Sequence, residues 1–87
     1  MLTYLERRDP EKNMARFYAI SLAPTLFGHC AVIREWGRIG SPGTVREEWF
    51  DDMPAAEAAA MKLSTMKRRR GYDLPVNLAP DRSSMRN

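Results

Sequence analysis

The sequence predicts an α+β domain, an antiparallel sheet of about four strands with one long C-terminal helix packed on it. Three observations lead there. The first fifty or so residues hold four short runs rich in branched and aromatic side chains, separated by segments containing Pro, Gly, Asn and Asp. From Pro54 onward the apolar period changes from that of a strand to that of a helix. The 87 residues, 44% hydrophobic and 29% charged, make one small globular domain.

The first strand is expected from Leu2 to Arg7, ended by "DPEKN", in which Pro10 cannot donate to a ladder. "ARFYAISL", Ala15 to Leu22, is the second. Its faces are Phe17, Ala19, Ser21 and Tyr18, Ile20, Leu22, so both sides can be covered. "APTLFGH" connects it to the third strand, Cys30 to Trp36. The fourth, Thr44 to Phe50, alternates Val45, Glu47 and Trp49 against Arg46, Glu48 and Phe50. Connections of hairpin scale imply an antiparallel meander. The helix then runs through "PAAEAAAMKLSTMKRRR", Pro54 to Arg70, with Pro54 in the first turn and Asp51 and Asp52 at the positive end of the dipole. Ala56, Ala59, Ala60, Leu63 and Met66 form one apolar stripe, and small alanines allow close approach to a sheet. Gly71 is a natural C-cap. The domain is expected to occupy residues 1–74, and 75–87 a flexible tail with little to bury.

Several function classes lose support at once. No run approaches the roughly 18 apolar residues of a membrane span. The N-terminus, "MLTYLERRDPEKN", has no apolar signal-peptide core, and the lone Cys30 permits no internal disulfide. A cytoplasmic location is the expectation. His29 and Cys30 are adjacent, and neighbours in a strand point to opposite faces, so they make a poor catalytic pair. Glu47-Glu48 and Asp51-Asp52 lack metal-ligand spacing. No enzymatic activity, metal or cofactor is expected.

Charge is unevenly distributed. Residues 1–53 hold seven Lys/Arg against eight Asp/Glu, whereas residues 54–87 hold seven against three. Most of that excess is "KRRR", Lys67 to Arg70, which the helix dipole alone would favour at a C-terminus. The chemistry concentrates in "REWGRIGSPG", Arg34 to Gly43. Strand alternation places Cys30, Val32, Arg34, Trp36 and Arg38 on one face, the first two as core and the last three as surface. A ring flanked by two guanidinium groups suits a base or sugar with an adjacent phosphate. Gly37 leaves backbone bare beside the ring, and Gly40 and Gly43 supply a tight turn. The glycine spacing is not that of a dinucleotide fingerprint.

"WGRIG", with "RFY" about twenty residues upstream and a helix ending in "RRRGY", resembles the WGR domain family over residues 1–74. The resemblance implies a compact antiparallel sheet packed on a single helix. In poly(ADP-ribose) polymerases this domain sits beside the catalytic region and helps to bind the end of broken DNA. By resemblance, Trp36 would pack on the sugar of a terminal nucleotide, Gly37 would offer close-approach backbone and Arg38 a polar contact. Arg16 falls on a basic position able to touch the phosphate backbone, Tyr72 on an aromatic position near the same surface, and Arg69 near a basic one. Ala15 departs from the pattern, standing where nucleic-acid-binding members can carry an asparagine. No transferase region is expected within these 87 residues.

Two readings of the same surface follow. In the first, the chain is a non-catalytic module that binds DNA weakly and with little sequence preference. Trp36 stacks, and Arg16, Arg34, Arg38, Lys67, Arg68, Arg69 and Arg70 meet phosphates. In the second, the same Trp and Arg residues dock a partner protein or a second copy, since both types are enriched at interface hot spots. Neither reading involves a membrane or a small-molecule cofactor.

Overall fold

The computed structural model describes residues 2–75. Their order is β1 (Leu2–Asp9), a single 3-10 turn at Pro10–Lys12, β2 (Met14–Pro24), β3 (Cys30–Arg38), β4 (Thr44–Phe50) and α1 (Met53–Arg69). The four strands form one antiparallel sheet in sequence order, with α1 across one face. This is the predicted α+β architecture. β2 and β3 outrun their expected ends because the ladder between them extends from Arg16 opposite Arg38 to Pro24 opposite Cys30.

Tight local geometry makes each connection. Asn13 turns the chain into β2 with φ +51°, a left-handed conformation that asparagine tolerates. After β3 the Ser41 N–H donates to the Arg38 carbonyl (3.1 Å), and Gly40 takes φ +88° inside that turn. At the helix start the Asp52 carboxylate accepts from the Ala55 N–H (2.9 Å), a cap worth about 1 kcal/mol. At its end Tyr72 N–H reaches the Lys67 carbonyl and Gly71 N–H the Arg68 carbonyl, with Gly71 at φ +99°. That Schellman geometry satisfies two terminal carbonyls and folds Tyr72 back over the sheet.

The core lies between α1 and the sheet. Tyr18, Ile20, Cys30, Val32, Ala56 and Ala60 are buried together, with Leu22, Trp36, Phe50, Ala59, Leu63 and Tyr72 packed around them. Leu5 and Val32 are fully buried, each contributing about 1.5–3 kcal/mol of apolar transfer. The predicted helix stripe holds through Leu63 and then shifts, for Met66 is exposed and Lys67 turns toward the sheet. The helix face therefore reads Ala56, Ala60, Leu63, Lys67, still at spacings of three and four.

No helix among the described residues covers the other sheet face. There Phe17 stacks on Tyr4, with ring centroids 6.0 Å apart and planes at 10°. The turn between β3 and β4 folds over Phe17 so closely that Gly43 Cα approaches Gly37. Beyond α1, Asp73 and Glu6 exchange backbone hydrogen bonds of 2.7 and 2.8 Å, which covers part of the β1 edge. The expected tail at 75–87 lies outside the described residues apart from Pro75, which is buried.

A Cβ at Gly43 would stand 2.7 Å from the Trp36 carbonyl oxygen and 2.8 Å from Phe17 Cζ. Gly43→Ala should therefore cost about 1–3 kcal/mol, at roughly 4–8 °C of Tm per kcal/mol for a domain of this size. A thermal melt showing an unchanged Tm would contradict that packing.

Candidate nucleic-acid interface

The β2–β3 register builds the site. Tyr18 stands opposite Trp36, and one step along the same face Arg16 stands opposite Arg38. β1 extends the row, since Arg7 stands opposite Arg16. Three guanidinium-bearing residues thus lie side by side on neighbouring strands, an arrangement that repels unless an anion joins it. Among the described residues the ion pairs are Arg8 with Glu6 (3.2 Å) and Arg68 with Asp73 (3.7 Å), and neither uses this row.

Below the row is an aromatic stack. Tyr18 and Trp36 lie 5.9 Å apart at 19°, and Tyr72 meets Tyr18 edge-on at 6.2 Å and 71°. Lys67 places its ammonium 4.5 Å from the Tyr18 ring centroid and 5.7 Å from that of Tyr72. The Arg34 guanidinium lies 5.8 Å from the Trp36 ring centroid. Trp36 is consequently half-buried against the core, a correction to its expected place on the open surface. Arg34 is likewise half-buried; only Arg38 of the three is exposed.

An open cavity of about 400 Å³ sits above this stack, lined by Lys12, Asn13, Met14, Ala15, Arg16, Trp36, Gly37, Arg38 and Tyr72. Three of these are cations, and none is Asp or Glu. The arrangement can hold an anionic group beside the half-buried indole. Five of the expected residues converge here: Trp36, Gly37, Arg38, Arg16 and Tyr72. Arg34 instead lines a smaller hollow under α1 with Glu48, Lys62 and Met66. Arg68, Arg69 and Arg70 are exposed at the helix end and do not line the cavity, and Lys67 is committed to the two tyrosines.

Gly37 has a packing reason of its own. A Cβ there would lie 3.2 Å from Gly43 Cα and 3.6 Å from Phe17 Cε1, on the face away from the indole. Lys12 and Asn13 were not singled out in the sequence, because a turn residue has no periodicity to place it. Arg7 was missed too, and finding it needed the β1–β2 register. Ala15 brings no polar side chain to the lining, and Asn13 is the amide-bearing residue there.

The remaining reactive side chains lie elsewhere. The Cys30 thiol is buried 3.4 Å from Met53 Sδ, on the helix side, whereas His29 stacks on Trp49 at 6.1 Å. Among the described residues no three His, Cys, Asp or Glu side chains converge as a metal site requires. Among the described residues no helix is long and apolar enough to cross a membrane.

Burial holds the Lys67 ammonium below the usual lysine range, helped by the charges of Arg70 and Arg34. The unfolded chain therefore binds this proton more tightly than the folded one, and the cost falls as pH rises through the folded pKa toward the ordinary 10.5. Lys67→Met keeps the stem and removes the charge. The stability of the parent relative to this variant, measured by urea melts, should rise over that window. A difference constant with pH would place the ammonium in free solvent.

The comparisons agree with this geometry at the level of the family. The WGR domain matches residues 1–77. Over 69 residues the chain is 45% identical to "Uncharacterized protein y4dW" of Sinorhizobium fredii (strain NBRC 101917 / NGR234), which covers 79% of this chain and 34% of that protein. The chain thus spans about a third of the length of that relative. No solved structure matches it. With Trp36, Gly37 and Arg38 at the end of β3 and a helix closed by Gly71 and Tyr72, the chain belongs to the WGR domain family.

Proposed function

We propose that this chain is a non-catalytic nucleic-acid-binding module that takes the phosphate–sugar backbone of DNA at the cavity between Lys12 and Tyr72. The observation that carries the reading is the cavity lining, in which Lys12, Arg16 and Arg38 meet no carboxylate and border a half-buried Trp36. Membership of the WGR family supports it. In this reading Arg16 and Arg38 hold phosphate oxygens, Arg7 adds charge behind them, and Trp36 supports the sugar. The Tyr18 stack and the Arg34 guanidinium fix the indole beforehand, so little rotamer freedom is lost on binding. Nothing in the row reads base edges, so sequence tolerance follows.

Protein docking through the same residues is the weaker reading. Its best anchor, the indole, is already packed on Tyr18, and the most exposed apolar side chains, Leu26 and Phe27, belong to the β2–β3 connection rather than to the cavity.

Phosphate contacts from all three cavity cations, Lys12 with Arg16 and Arg38, imply that duplex affinity falls about fortyfold for a fourfold rise in salt. Fluorescence anisotropy with a short 5′-phosphorylated duplex should show this slope. Arg16→Ala and Arg38→Ala should each weaken binding about tenfold and each reduce the slope by about one. Arg69→Ala, outside the cavity, should do neither. Unchanged affinity in both cavity variants, with folding retained, would defeat the proposal, as would failure to bind any nucleic acid at low salt.

A further inference from the structure

β4 is one edge of the sheet, and every residue in it except Phe50 is exposed. The opposite edge, β1, is met by Asp73; no described residue pairs with the outer side of β4. A seven-residue strand with its backbone groups open on one side is a template for another strand.

Its sequence is complementary to itself in one antiparallel register. Laid against a second copy about Glu47, β4 opposes Arg46 to Glu48 twice, Val45 to Trp49 twice and Thr44 to Phe50 twice. Arg46 and Glu48 are on the helix side of the sheet, across from Arg34 and Val32 of β3. Val45 and Trp49 are on the helix-free side, 57% and 53% exposed. The two opposite-charge pairs and the two apolar pairs therefore form on separate faces, as cross-strand pairing requires. Moving the register by two residues either way sets Arg46 or Glu48 against its own copy and leaves strand ends unpaired. In-register parallel pairing opposes every charge to its like.

We propose that the domain self-associates as a two-fold dimer by antiparallel pairing of the β4 edges, which joins the two sheets into one. The single like-charged contact is Glu47 against its copy on the axis. In the monomer that carboxylate accepts a hydrogen bond from the Trp49 indole N–H. It acts as a brake, so the association is weak and readily adjusted. No β4 residue lines the cavity of Lys12, Arg16 and Arg38, so both copies keep that site open.

Sedimentation velocity on the 87-residue chain over a concentration series tests this without nucleic acid, so its outcome is separate from that of the binding reading. The parent should show a monomer–dimer equilibrium. Arg46→Glu should weaken it about tenfold or more, and Arg46→Glu combined with Glu48→Arg should restore it, because the opposed charges are exchanged together. Glu47→Gln should tighten it several-fold. Far-UV circular dichroism checks that each of these exposed substitutions leaves the fold intact, and Glu47→Gln needs no rearrangement. A monomer at every concentration in both parent and Glu47→Gln would overturn the proposal. So would a dimer insensitive to Arg46→Glu, or one that the double exchange fails to restore.

Discussion

The register between β2 and β3 is the constraint on which the site depends. It opposes Tyr18 to Trp36 and, on the same face, Arg16 to Arg38. A slip of one residue would carry Trp36 to the helix-free face, away from Tyr18, Tyr72 and Lys67, and would separate the arginines. Burial enforces the register, since Ile20, Val32 and Cys30 reach the alanine face of α1 only in this alignment. Gly43 enforces it from the other side, where its bare Cα lets the turn close over Phe17 against the Trp36 carbonyl. The same pairing thus builds the core, seats the indole and concentrates positive charge.

A cost accompanies that arrangement. Three arginines side by side raise the electrostatic energy of the folded state, and the half-buried Lys67 adds a desolvated cation nearby. The aromatic rings offset part of it, since ring faces attract cations by about 0.5–2 kcal/mol each. In the proposed reading an anionic ligand would neutralise the row. The β4 edge is different in kind, with Arg46 and Glu48 toward the helix side and Val45 and Trp49 exposed on the other, pairs that the proposed dimer would match to a second copy. The proposed anion site and the proposed pairing edge share no residue.

Much of this was legible in the sequence, and the misses have physical causes. Alternation put Arg34, Trp36 and Arg38 on one side of β3, and the period change at Pro54 located the helix. Alternation alone, however, does not say which face a helix will cover. Trp36 was therefore read as open surface, whereas it is half-buried against Tyr18 and the core. Lys67 was grouped with Arg68, Arg69 and Arg70 as a phosphate-meeting cluster because a lysine breaks an apolar stripe on paper. Its spacing of four from Leu63 and seven from Ala60 already placed it on the packed face, with only its stem apolar. Gly37 does line the cavity, and the packing of Gly43 and Phe17 on its other side adds a reason for glycine that the sequence did not show. Arg7 needed the pairing of β1 with β2, and Lys12 and Asn13 the geometry of the turn between them, which no periodic pattern encodes.

Backbone amide and indole NMR shifts, followed while a short 5′-phosphorylated duplex is added at low salt, test the central claim most directly. The account predicts that perturbations gather at Lys12, Asn13, Arg16, the Trp36 indole, Arg38 and Tyr72, and that the Trp49 indole signal stays in place. Shifts concentrated at Leu26, Phe27 and Trp49, or spread evenly over Lys67 to Arg70 with the Trp36 signal unmoved, would contradict it.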